Sequence, residues 1–100
     1  MIVGLSAEAE RDLEDIGDYI ARDNPRRALS FVVELRSKCL GLAEAPEAYP
    51  LVPRYEALGV RRRVHGAYVI FFVVAPDRVT VLHVLHGARD FPSLLFRDDP

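Results

Sequence analysis

The chain has 100 residues, half of them apolar, and a formal charge of −2 with the histidines neutral. That length sets a single domain over residues 1–100. The acidic balance argues against a general binder of phosphate backbones, which relies on cation pairing and counterion release.

The charge is uneven: residues 1–50 hold six Lys or Arg against ten Asp or Glu, and residues 51–100 hold seven against five. The longest apolar run, Ala67 to Ala75, is a strand and falls short of the roughly 20 residues of a membrane helix. No basic segment precedes an apolar one at the N-terminus, so no signal peptide is expected. Cys39 is the sole cysteine and has no internal partner, which suits a reducing cytoplasm.

Met1 to Leu5 has the length of one strand. Ser6 is placed to cap a helix, with Glu8 and Glu10 near its positive end. Ala9, Leu13, Ile16 and Ile20 recur at helical spacing and predict a helix over 7–22. Asp12, Asp15 and Asp18 lie off that stripe and read as a solvated face. Asn24 and Pro25 restart the chain as cap and first helical residue. Ala28, Val32, Leu35, Cys39 and Leu42 carry a second helix to about residue 44. The short connection makes the two helices an antiparallel hairpin. Cys39 falls on the apolar stripe and reads as a buried, inert thiol.

Residues 45–58 form a loop whose three prolines deny it a regular helix. Three strands follow: Val60 to His65, with Arg61, Arg63 and His65 on one face; Tyr68 to Val74, apolar on both faces; and Val79 to Leu85. Phe91 to Phe96 reads as a short terminal turn, and Arg97 to Pro100 as a frayed end. The order is β-α-α-β-β-β, an α+β fold with the helical hairpin packed on one face of a small, mostly antiparallel sheet.

No metal-ligand spacing, nucleophile elbow or phosphate-cradling glycine loop is present, so neither metal nor cofactor is expected. His83 and His86, three apart on a regular strand, point to opposite faces. What remains is a cationic set: Arg61, Arg63, His65, His86 and Arg89. If these converge, a histidine would move a proton and the arginines would hold developing charge on a phosphodiester. Two other readings stand beside that one. The set grips a partner, or it closes the end of the sheet, with Arg89 pairing to an acid of the first helix. Leu51, Val52 and Tyr55 in the loop, and Phe91, Leu94, Leu95 and Phe96 in the tail, are candidates for an exposed apolar surface. An amphipathic partner helix would lie on such a surface.

Several stretches bear on the choice. They are Leu5 to Ile20 with its acidic run, Asp23-Asn24-Pro25, Leu42 to Pro46, Tyr68 to Phe72, and Val84-Leu85-His86-Gly87-Ala88-Arg89-Asp90. In this order they resemble the RelE/ParE superfamily of toxins from bacterial toxin–antitoxin pairs, in its ParE branch. The resemblance implies a helical hairpin on an antiparallel sheet with the first strand beside the last. It implies a cognate ParD-like antitoxin that wraps the toxin. It also implies either inhibition of DNA gyrase, as in ParE-type toxins, or ribosome-dependent cleavage of messenger RNA, as in RelE-type toxins. The nucleases are strongly basic and often carry a tyrosine near the C-terminus. Here Lys38 is the only lysine and no tyrosine follows Tyr68. The expectation is therefore a non-enzymatic gyrase inhibitor, with Arg61, Arg63, His86 and Arg89 as its functional surface. The antitoxin is expected on Leu51, Tyr55, Phe91, Leu94, Leu95 and Phe96. No direct sequence-specific nucleic-acid binding is expected. The alternatives are a RelE-type endonuclease and an inactive antitoxin-binding scaffold.

Overall fold

The computed structural model describes residues 1–95. Strand β1 (Ile2–Leu5) leads into helix α1 (Ala7–Ala21), followed by helix α2 (Pro25–Leu40). Three 3₁₀ turns occupy the loop, and strands β2 (Arg61–His65), β3 (Tyr68–Val74) and β4 (Arg78–His86) complete the sheet. A short helix, α3 (Phe91–Leu95), ends the described chain.

Both expected caps form. Ser6 accepts from the Ala9 amide at 3.0 Å and donates its hydroxyl to Leu82 O at 2.8 Å, so one side chain starts α1 and ties it to β4. Asn24 accepts from the Arg27 amide at 3.1 Å, and Pro25 takes the first helical position. Helix α2 stops at Leu40 rather than continuing to 44. Gly41 bonds back to Ser37 O and Cys39 O, and the chain tightens into a 3₁₀ turn over Gly41–Ala43 before Pro46.

The sheet order is β1-β4-β3-β2. β2, β3 and β4 are antiparallel neighbours, and β1 runs parallel to β4, so the first strand does lie beside the last. Register slips once. Phe71 faces His83 and Phe72 faces Val81, which leaves Leu82 as an extra residue in a bulge. The bulge resets the pleat of β4. Val79, Val81 and Val84 all enter the core under the helices, although 81 and 84 are three apart.

That core joins Ala9, Leu13 and Ile16 of α1 and Phe31, Leu35 and Cys39 of α2 to Ile70 and Phe72. A second, smaller cluster of Val52, Val60, Phe71 and Leu85 lies on the opposite face of the sheet. The loop and α3 cover it, with the Phe71 and Phe91 ring centroids 5.0 Å apart. This explains why β3 is apolar on both sides. Burial lifts the Cys39 thiol to about 11, where it is protonated and inert, as its place on the stripe predicts.

Asp12 departs from the expected solvated face. β1 ends opposite Val81, so β4 runs on without a strand on that side. The Asp12 carboxylate fills the gap, taking the Val84 amide at 2.9 Å and standing 2.7 Å from His83 Nδ1. Both side chains are 16% exposed. An acid of α1 thus substitutes for a missing strand edge and pins the helix to the sheet.

Candidate functional site

The expected cationic set divides into two groups. Arg61 and Arg63 sit on edge strand β2, on the face under α2, and both are engaged with main-chain carbonyls. Arg61 Nη1 donates to Tyr49 O at 2.7 Å and to Glu47 O at 3.2 Å, holding the proline-rich loop. Arg63 Nη1 donates to Lys38 O at 3.0 Å, one of the last-turn carbonyls of α2 that lack a helical partner. Its guanidinium also lies 5.2 Å from the centroid of the Tyr49 ring. Gly41 leaves room for it, since a Cβ there would meet Arg63 Nη1 at 3.3 Å.

His86 and Arg89 are brought together elsewhere. Register places His65 opposite Tyr68 and Tyr68 opposite His86, one row of rings across the end of the sheet. His86 meets Tyr68 edge-on at 5.4 Å between centroids. Phe31 of α2 packs over the same row, 5.8 Å from His65 and 5.5 Å from Tyr68. Arg63 and Arg61 pair with Ile70 and Phe72, in rows further along the strand. They are also two strands away from β4.

Beyond β4 the chain turns tightly. Gly87 N donates to Ala67 O at 2.8 Å, Arg89 N to His86 O at 3.0 Å, and Ala88 N to His86 Nδ1 at 3.1 Å. The last bond makes Nδ1 an acceptor and leaves Nε2 to carry the proton of the neutral ring. Gly87 does not take a left-handed conformation. What it permits is close approach, because a Cβ there would lie 3.4 Å from Ala67 O.

This turn and α1 enclose a cleft of about 430 Å³. Asp12, Asp15, Ile16 and Tyr19 form its helical wall, and Ala67, Tyr68, Val84, Leu85, His86 and Arg89 form the other side. Burial, and then the neighbouring Tyr19, raise the Tyr68 phenol, which is therefore neutral around pH 7. The expected pairing of Arg89 with an acid of α1 does not form: its side chain makes no ion pair among the described residues, although Asp12 and Asp15 line the same cleft. The cleft therefore offers a ring-lined apolar floor, one exposed guanidinium and one imidazole. Among the described residues, no group of three or more His, Cys, Asp or Glu side chains could hold a metal ion.

Of the residues expected to form an exposed apolar surface, Val52 is fully buried in the second cluster and Leu51, Tyr55, Phe91, Leu94 and Leu95 are half-buried. Leu51 bridges to Arg61 at the edge of β2. Tyr55, Phe91, Leu94 and Leu95 pack on the second cluster. Phe96 lies outside the described residues. Large exposed apolar side chains occur on the outer side of the hairpin, where Leu29 is 74% and Val33 67% exposed, and singly at Ile2, Leu58 and Val64. Leu29 and Val33 both fit the helical repeat of α2 but lie off its buried stripe. That departure is the signal in the sequence that could have found them.

A family model described as the ParE toxin of the type II toxin–antitoxin system parDE matches residues 3–91. No curated protein matches the chain. Among solved structures, the chromosomal ParDE toxin–antitoxin system from P. aeruginosa is similar, with a TM-score of 0.73 and 21% identity. That match covers 86% of this chain and 95% of the other, and at this identity it speaks to the fold alone. The toxin–antitoxin complex RelBE2 from Mycobacterium tuberculosis is also similar, with a TM-score of 0.61 and 26% identity. It covers 88% of this chain and 92% of the other.

Proposed function

The chain belongs to the ParE toxin family of type II toxin–antitoxin systems, and from that premise we propose that it inhibits DNA gyrase by binding, without performing chemistry. The observation that carries this reading is the division of the cations. Cleavage of a phosphodiester calls for a proton-transfer group together with several charges around the developing phosphorane. Arg61 and Arg63 are committed to carbonyls of the loop and of α2. Among the described residues, the cleft retains His86 and Arg89 only as its basic groups. One guanidinium beside a row of rings is suited to anchoring a partner's side chain, since arginine and tyrosine are enriched at binding hot spots.

The partner that neutralises such a toxin is a ParD-like antitoxin. It calls for exposed apolar surface, and the outer side of the hairpin has more of it than the loop and α3, which already cover the sheet. The decisive experiment sets two purified systems side by side: supercoiling by gyrase, and a translating ribosome with a defined message. The wild-type chain is expected to block supercoiling and leave the message intact. Arg89→Ala, at an exposed position, is expected to keep the fold and lose at least about tenfold in inhibition. Message cleavage with unaffected gyrase would overturn the proposal in favour of a RelE-type nuclease.

A further inference from the structure

On the outer side of the hairpin, α1 and α2 enclose a groove of about 590 Å³. Gly17 of α1 and Ala28, Leu29, Val32 and Val33 of α2 line it. We propose that a second copy of this chain occupies this groove, so that the free protein is a dimer joined hairpin to hairpin.

Charge selects the occupant. On the groove face α1 presents Glu10, Glu14 and Asp18 and no cation, whereas α2 presents Arg36, with the exposed Arg26 next to Pro25 at its start. That face of the hairpin is therefore acidic along one rod and basic along the other. Glu10 and Arg36 join the rods through two bonds of 2.9 and 2.8 Å. Glu14, Asp18 and Arg26 have no ion pair among the described residues.

Two such hairpins can meet face to face about a twofold axis in either of two directions. An axis across the helices lays α1 on α1 and sets acid against acid. An axis along the helices lays α1 on α2 of the second copy, antiparallel, and sets acid against base. Only the second arrangement is self-complementary, and it forms every contact twice. It keeps residues level with their own neighbours, so Asp18 comes level with the stretch of the second copy that carries Arg26 and Leu29. Leu29 and Val33, which protrude from each α2, then enter the other copy's groove. Within each copy Gly17 lets Val32 of α2 pack close to α1, since a Cβ there would meet Val32 Cγ2 at 3.2 Å.

This self-association stands on its own. Its consequence for regulation rests on the toxin–antitoxin reading: an antitoxin using the hairpin groove must first displace the second copy.

Sedimentation equilibrium of the purified chain tests the proposal. At low salt the wild type is expected at twice its 11.2 kDa monomer mass, and high salt is expected to weaken the association. Leu29→Asp, at an exposed position, is expected to give a folded monomer. Arg26→Glu is expected to weaken the dimer by about tenfold, because each symmetric pair is lost twice. Adding Asp18→Arg to Arg26→Glu is expected to restore it. A wild-type monomer at low salt overturns the proposal, as does a dimer indifferent to Leu29→Asp or a charge exchange that fails to rescue. A monomer that still inhibits gyrase and binds an antitoxin leaves the functional reading standing and removes the self-association alone.

Discussion

Replacing Asp12 by alanine separates a structural acid from a decorative one. The carboxylate accepts from the Val84 amide and meets His83 Nδ1, at 2.9 and 2.7 Å. Hydrogen bonds to a charged group contribute about 1.5–3 kcal/mol each when well buried. At 16% exposure water recovers part of that loss. The expected net cost is then about 2–3 kcal/mol, or roughly 10–20 °C in Tm for a domain of this size. Asp12→Asn keeps an acceptor for the amide and should cost only about 1 kcal/mol. Asp15→Ala, on the same helix, makes no such bond and should fall within about 0.5 kcal/mol of wild type. Urea denaturation of the three variants gives the numbers. A double-mutant cycle with His83→Ala should show a coupling of about 1 kcal/mol. If Asp12→Ala is no less stable than Asp15→Ala, the carboxylate is not a substitute strand edge, and the account of how α1 is pinned fails.

Arg63 and Cys39 give three further outcomes. Arg63→Ala should lower stability by about 1–2 kcal/mol, through loss of the bond to Lys38 O and the contact with Tyr49. The folded fraction should inhibit gyrase normally, and full stability with lost inhibition would place Arg63 on the functional surface instead. Cys39, raised to about 11 by burial, should resist a thiol reagent at pH 8 in the native protein and react once urea unfolds the chain. Raising the pH above the ordinary thiol value should erode stability, because the unfolded thiol ionises first and the folded one only near 11. Rapid labelling of the native protein would show that the thiol is accessible.

The elements were legible because their causes are local. Ser6, Asn24 and Pro25 are start signals that act within one turn, and the stripes from Ala9 to Ile16 and from Ala28 to Cys39 need only helical periodicity. The site was less legible because its causes are not local. Alternation correctly put Arg61, Arg63 and His65 on one face of β2. It could not say that α2 would end above that face with a carbonyl in need of a donor. The acidic run on α1 looked uniform because Asp12, Asp15 and Asp18 share composition and spacing. What distinguishes Asp12 is that β1 is shorter than β4, a fact about pairing between distant strands. The bulge at Leu82 is of the same kind: nothing in Val-Leu-His-Val announces it, yet it decides which side chains of β4 reach the helices.

α1 stands as the wall between the two concavities, and it serves them with different residues. Asp12, Asp15, Ile16 and Tyr19 face the cleft that holds His86 and Arg89. Glu10, Leu13, Glu14, Gly17, Asp18 and Ala21 face the outer groove. No residue is shared. A partner seated only in the groove would therefore leave the Arg89 guanidinium open. On the proposed reading, an antitoxin that fills the groove neutralises the toxin in one of two ways. Its chain continues round α1 to the cleft, or its bulk keeps gyrase from approaching that end of the sheet. The first route makes Tyr19, 65% exposed at the lip of the cleft, a contact of both partners. The second leaves Tyr19 to the target alone. Substitution of Tyr19 should then weaken inhibition in either case, and weaken antitoxin binding only in the first.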